Sequence, residues 1–245
     1  MKLWQKIVFV MLLVFVIAVG VFVVWGETPL GPAPEALAAL QSDSRVQVTN
    51  DRWLAFLPAG AQPDTGLVLY PGGRVDYRSY APQARAIAER GYLVVIVRMP
   101  LNLAVLDASA AADVFAAYPQ IKHWAVGGHS LGGAMAANFA ARNPVQGLVL
   151  WASYPADSDD LSSQNLAVTS IYGSQDGVAD LDTITGALSR LPKGTVWVEL
   201  PGGNHAQFGW YGEQGGDNPA TLSAAEQQRM TVDATVAVLE QISSK

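Results

Sequence analysis

The stretch His123-Trp124-Ala125-Val126-Gly127-Gly128-His129-Ser130-Leu131-Gly132-Gly133-Ala134-Met135-Ala136-Ala137-Asn138-Phe139-Ala140-Ala141-Arg142 decides the fold. His123 to Val126 reads as a short buried strand, and Leu131 to Arg142 as an alanine-rich helix. Between them, Gly128-His129-Ser130-Leu131-Gly132 has the form G-x-S-x-G. A serine on a sharp strand-to-helix turn is pushed out of the backbone and held at the positive end of a helix dipole. Such a turn is strained, and its helix packs close to the strand. Small flanking residues are therefore needed, and Gly127, Gly128, Gly132 and Gly133 supply them. Ser130 is the candidate nucleophile; the bland alternative is a plain strand-to-helix connection.

Outward from this turn, strands and helices alternate. Arg45 to Thr49 and Trp53 to Leu57 read as an edge hairpin joined through Asn50-Asp51. Strands are expected at Leu67–Tyr70, Tyr92–Val97, Gly147–Ala152, Val168–Tyr172 and Thr195–Leu200. Helices are expected at Tyr80–Arg90, Leu106–Tyr118, Leu181–Leu191 and Ser223–Ile242, the last opened by Ser223 and Glu226 at capping-box spacing. This order predicts an α/β fold: a doubly wound, mostly parallel sheet with helices on both faces. Functional groups in such sheets gather at the carboxyl ends of the strands. Ser130, the Gly72-Gly73 turn, Asp176 and His205 all fall just past strand ends.

Composition narrows the chemistry. The 245 residues include no cysteine, which excludes thiolate catalysis, disulfides and Cys-ligated zinc. Three scattered histidines do not make a metal site, and neither a metal nor an organic cofactor is expected. The net charge is −6; without Lys2 and Lys6 the body keeps 13 basic against 21 acidic residues, a net −8. That balance repels nucleic acid.

The N-terminus stands apart. Ile7 to Trp25 is an uncharged run bracketed by Trp4 and Trp25. As a helix it would span about 28 Å, close to a bilayer core. Lys2 and Lys6 precede it and Glu27 follows, so the positive-inside rule leaves the N-terminus in the cytoplasm and the body outside. A cleaved signal peptide is the rival; the length of the run and the Val23-Val24-Trp25 context favour an uncleaved anchor. The expected organisation is an anchor over 1–26, a stiff Pro-rich tether over 27–44 and one catalytic domain over 45–245.

A serine nucleophile needs a base. His129 adjoins Ser130, so its side chain should point away. His123 precedes the elbow strand, at the opposite end of the sheet. His205, in Pro201-Gly202-Gly203-Asn204-His205, follows the last strand at the right edge and is the candidate base. The base needs an acid to fix its tautomer. Asp176, in the turn after Val168–Tyr172, is the first choice. Asp157 is an alternative, and Asp180 and Asp182 read as residues that start the next helix. For the oxyanion, backbone N–H groups are expected from Leu131 and from Gly73 or Arg74. Tyr77, Arg98, Phe208 and Trp210 are candidate substrate contacts. Arg74 or Arg98 would clamp a substrate anion, or else pair with Asp76 or Asp107. Tyr211 reads either as pocket lining or as loop packing, and Gly212 to Asn218 as a mobile loop.

Together, Gly-His-Ser-Leu-Gly-Gly at 128–133, Pro71-Gly72-Gly73, Gly-Ser-Gln-Asp at 173–176 and Gly-Asn-His at 203–205 resemble the α/β-hydrolase superfamily over residues 45–244. The small size is similar to dienelactone-hydrolase-like members and lidless carboxylesterases. Dienelactone hydrolases carry cysteine at the nucleophile position, where this chain has Ser130. Larger members insert a cap near 152–168; here the gap is too short for one. The resemblance implies a serine hydrolase acting on a small-molecule ester or related acyl bond. An acyltransferase using the same triad and a non-catalytic binding module on this fold are the alternatives.

Overall fold

The computed structural model describes residues 2–179 and 181–244. Helix α1 (Leu3–Gly26) comes first and is followed by the short α2 (Pro34–Ala38). An eight-stranded sheet follows: β1 (Val46–Asn50), β2 (Leu54–Pro58), β3 (Thr65–Tyr70), β4 (Leu93–Ile96), β5 (His123–His129), β6 (Gly147–Trp151), β7 (Ala167–Gly173) and β8 (Val196–Leu200). The strand order is β1-β2-β4-β3-β5-β6-β7-β8, with the β1–β2 and β2–β4 pairs antiparallel and all other neighbours parallel. The remaining helices are α3 (Ala81–Ala88), α4 (Ala110–Ala117), α5 (Leu131–Arg142), α6 (Leu181–Gly186) and α7 (Ala224–Ser243).

The inner strands β3 to β7 are buried and largely apolar because both faces are covered. On β3, Leu67 and Leu69 enter one core with Ile87 of α3 and Leu239 and Ile242 of α7. Val68 and Tyr70 enter the other, with Val114 of α4 and Ala136, Ala137 and Phe139 of α5. Between β6 and β7, at the carboxyl edge, residues 152–166 form an irregular loop.

Three elements differ from the sequence expectation. The helix expected from Leu106 begins only at Ala110, because residues 100–106 form two tight turns in which Leu101 and Asn102 adopt positive φ (51° and 54°). The helix expected over Leu181–Leu191 stops at Gly186 and tightens into a 3₁₀ turn over 187–190. In α7 the Ser223 hydroxyl accepts from the Glu226 N–H at 3.3 Å, but the Glu226 carboxylate turns outward to Arg229, so half the capping box is made.

The segment expected as a stiff tether lies on the body. Leu30 pairs with Val75 as a one-residue parallel bridge, its N–H donating to Arg74 O (2.7 Å) and its carbonyl accepting from Asp76 N–H (3.0 Å). Ala33 N–H donates to Trp210 O, and Ala36 of α2 is fully buried.

The elbow depends on close backbone approach. A Cβ on Gly132 would fall inside the van der Waals envelope of the Tyr70 and Pro71 carbonyl oxygens, and one on Gly128 would sit 2.5 Å from the Gly132 carbonyl carbon. All of these are backbone atoms that a rotamer change cannot move. Gly132→Ala should therefore cost about 3 kcal/mol or more, read as a fall in Tm or as loss of soluble folded protein. An unchanged Tm would show that α5 can back away from β3.

Candidate active site

Ser130 follows the last residue of β5 with φ 52° and ψ −124°. A non-glycine residue in this region stores on the order of 1–3 kcal/mol of strain. It is held there by Ser130 N–H donating to Trp151 O (2.9 Å) and Ser153 Oγ donating to Ser130 O (2.7 Å).

His205 lies in the loop after β8, and its side chain is fully buried. Its Nδ1 is 2.8 Å from Asp176 Oδ2, and that carboxylate is also fully buried. Since a carboxylate only accepts, Nδ1 carries the proton and Nε2 presents a lone pair. The other oxygen, Asp176 Oδ1, accepts from Val178 N–H (2.8 Å) and Ala179 N–H (2.7 Å). The acid is thus fixed from both sides. His205 Nε2 is buried with no hydrogen-bond partner among the described residues, and no hydrogen bond joins it to Ser130 Oγ in this structure.

The alternative acids lie elsewhere. Asp157 is 96% exposed and pairs with Arg190 at 2.8 Å. Asp182 is exposed in the first turn of α6, and Asp180 lies outside the described residues. His123 sits at the start of β5, at the opposite edge.

Two supports of the His205 loop have no sequence signature. Asp217 accepts from Ala206 N–H (2.8 Å), Gly177 N–H (3.0 Å) and His205 N–H (3.3 Å), tying the base loop to the acid loop. This anchors a segment that the sequence reads as mobile. Gln227, buried on α7, pairs with Asn204 through both its amide oxygen (3.0 Å) and its amide nitrogen (2.7 Å).

His129 lies beside His205. Its ring is fully buried, 4.5 Å from the His205 ring between centroids, and stacks on Phe208 at 5.7 Å. The Tyr80 hydroxyl accepts from Gly72 N–H (3.0 Å) and lies 2.9 Å from His129 Nδ1. Its proton is then free for Nδ1, which leaves the imidazole neutral. Burial, and secondarily the neighbouring His205, holds the His129 pKa well below its ordinary 6.5.

The expected oxyanion donors separate. Gly73 faces Leu131, where a Cβ would meet Leu131 Cδ2 at 3.1 Å. The Gly73 and Leu131 N–H groups have no acceptor among the described residues. Arg74 N–H, by contrast, is already bonded to Asn102 O (2.8 Å).

Of the expected substrate contacts, Phe208 is fully buried behind His129, its carbonyl accepting from Gln83 Nε2. Trp210 lines a cleft of about 620 Å³ with Ala33, Glu35, Gln214 and Asp217, on the outer side of the base loop; Ser130 does not line it. Tyr77 and Arg98 meet at the β1 side, with the guanidinium 4.9 Å from the ring centroid and both side chains bonded to Asn50. Arg98 and Arg74 pair with neither Asp76 nor Asp107; Asp76 is taken by Arg78.

Comparison with known proteins gives the family and the fold. A family model described as the alpha/beta hydrolase family matches residues 66–229. The chain belongs to that family. Among solved structures, the esterase domain of a Rhodothermus marinus protein superposes with a TM-score of 0.56 at 15% identity, over 78% of this chain and 95% of that one. At that identity the likeness is one of fold. No curated protein matches the chain.

The neutral, buried His129 makes a signed prediction. Its folded pKa is depressed, so between that value and 6.5 the unfolded chain binds the proton and the folded one does not. Its contribution is complete above about 6.5 and is lost as pH falls, by up to about 1.4 kcal/mol per pH unit. Tm measured from pH 7.5 to 5 should fall more steeply in wild type than in His129→Asn. Equal slopes would show that His129 takes up its proton without unfolding.

Proposed function

We propose that this chain is a serine hydrolase that cleaves an ester or related acyl bond through Ser130, His205 and Asp176. The observation that carries the reading is the buried Nε2 of His205, which has no hydrogen-bond partner among the described residues while Nδ1 of the same ring is held by Asp176 at 2.8 Å. A buried polar atom without a partner calls for an explanation. A nucleophile hydroxyl is the one that the strained turn at Ser130 offers. A rotation of the Ser130 side chain would close the link, as contacts of this kind often tighten only when substrate is bound.

The steps balance without a co-reactant other than water. Ser130 Oγ attacks the acyl carbon while its proton passes to His205 Nε2. The oxyanion is held by the N–H groups of Leu131 and Gly73. The carbon–oxygen bond to the leaving group breaks, and the departing oxygen takes the proton from Nε2. Water then attacks the acyl-enzyme, giving a proton to Nε2; the carboxylic acid leaves and Ser130 Oγ recovers that proton. Asp176 stays ionised and stabilises the imidazolium in both halves.

Helix α1 is read as a retained single-span anchor. It is 24 residues long and apolar, and only Gly26 of it is buried. Residues 25–33 are bonded into the body rather than hanging from it, as a spent leader would. The cationic Lys2 and Lys6 ahead of the helix support, by the positive-inside rule, a body on the outer side.

A fluorophosphonate probe tests the reading. Wild type should be labelled and Ser130→Ala should not. Asp176→Asn should lower kcat on the order of 10⁴-fold while the fold, read by Tm, persists. Absence of label on wild type, or equal label on Ser130→Ala, would overturn the assignment.

A further inference from the structure

We propose that the bilayer holding α1 also lies against the carboxyl edge of the sheet, and that the substrate is an acyl ester of a membrane lipid. This deepens the serine-hydrolase reading and rests on it.

The first support is how α1 meets the body. The helix packs on residues 100–102, and Gly26 is pressed so close to Leu101 that a Cβ on it would lie 2.8 Å from Leu101 Cβ. Two carbonyls at its C-terminal end and one just beyond it are taken by side chains of the body. Arg74 Nε donates to Trp25 O (2.9 Å), Arg74 Nη2 to Thr28 O (2.7 Å), and Asn102 Nδ2 to Gly26 O (2.9 Å). The Arg74 guanidinium also lies 4.4 Å from the Trp25 ring centroid, a cation–π distance. The joint is a clamp rather than a hinge.

The second support is where that clamp sits. Arg74 follows β3 and Asn102 follows β4, so both stand at the carboxyl edge. Ser130 follows β5, next to β3, at the same edge. Gly73, one residue from the clamp, faces Leu131. The place where the helix leaves the body and the candidate nucleophile therefore share one edge, and a helix fixed there brings its membrane to that edge.

The third support is independent of α1. Outside that helix, the exposed large apolar residues among those described are Leu37, Val105, Leu106, Val178, Leu181, Leu188 and Val196. Four of the seven flank Ser130 at the carboxyl edge. Val105 and Leu106 (56% and 49% exposed) follow β4, and Val178 and Leu181 (41% and 37%) follow β7. Val196, by contrast, begins β8 at the opposite edge. Apolar side chains on both sides of a nucleophile, level with the end of a membrane helix, suit the acyl region of a bilayer. The net-acidic body argues that this contact is apolar rather than electrostatic, so uncharged phosphatidylcholine should suffice.

The absence of native cysteine gives a clean test with the full chain in phosphatidylcholine vesicles. Single variants Val105→Cys, Val178→Cys and Val196→Cys would each carry a fluorophore, and lipids would carry a nitroxide quencher in the acyl chain. Quenching at 105 and 178 of at least threefold over 196 is expected; equal quenching at all three sites overturns the docking. In parallel, hydrolysis of the vesicle lipid ester is compared with hydrolysis of water-soluble p-nitrophenyl acetate. Val105→Asp with Leu106→Asp should lower the lipid rate at least tenfold and change the soluble rate by less than twofold. An unchanged lipid rate in that variant, or a wild type that cleaves the soluble ester and no bilayer ester, overturns the lipid assignment. Quenching at 105 and 178 with no hydrolysis of either ester would sustain the docking and overturn the hydrolase reading together with the lipid assignment that rests on it.

Discussion

The structure turns on the distance between the first turn of α5 and the ends of β3 and β5. Gly128, Gly132 and Gly133 let backbone meet backbone with no side chain between them. That approach fixes the φ of Ser130 in a region L-residues avoid, and it also presses Leu131 against Gly73. The turn that presents the hydroxyl is therefore the same turn that sets two free N–H groups beside it. Widen that gap by one methyl group and both features move together.

The second requirement is order in the loops that carry Asp176 and His205. Loop residues have few apolar contacts to hold them, so polar bonds must do it. Here a single carboxylate, Asp217, accepts from the backbone of both loops, and Gln227 reaches up from α7 to hold Asn204. Asp176 is itself pinned by two backbone N–H groups. Behind these sits an aromatic packing of Tyr80, His129, Phe208 and Tyr211, a floor on which the His205 ring rests. The phenols of Tyr80 and Tyr211 are pushed upward in pKa by burial, so both stay protonated and serve as neutral donors.

Much of this was legible from residue pattern. Period and turn chemistry located the strands, and the Gly-His-Ser-Leu-Gly turn located the elbow, because those signals are local. The meeting of Asp176 and His205 was legible from strand ends, since a parallel sheet delivers its loops to one edge. The place of His129 was not. Alternation within a strand puts neighbours on opposite sides, but the elbow bends the chain at Ser130 and the His205 loop folds over it. Asp217 and Gln227 escaped because a side chain bonding to distant backbone leaves no spacing to read. Residues 27–33 misled for another reason: proline reports stiffness, and a stiff segment can lie along a surface as well as bridge a gap. The turns over 100–106 hide two left-handed residues, Leu101 and Asn102, that composition gives no cause to expect.

The bonds from Arg74 and Asn102 to the end of α1 have a further consequence. A domain joined through a floppy leash can tumble and sample every orientation. This one is bolted at three carbonyls, so its face and its helix turn as one object. On the proposal that α1 sits in a bilayer and the body acts on its lipids, encounters are set by sideways drift within a plane, and turnover should follow how crowded that plane is with substrate rather than how much is dissolved in the surrounding volume.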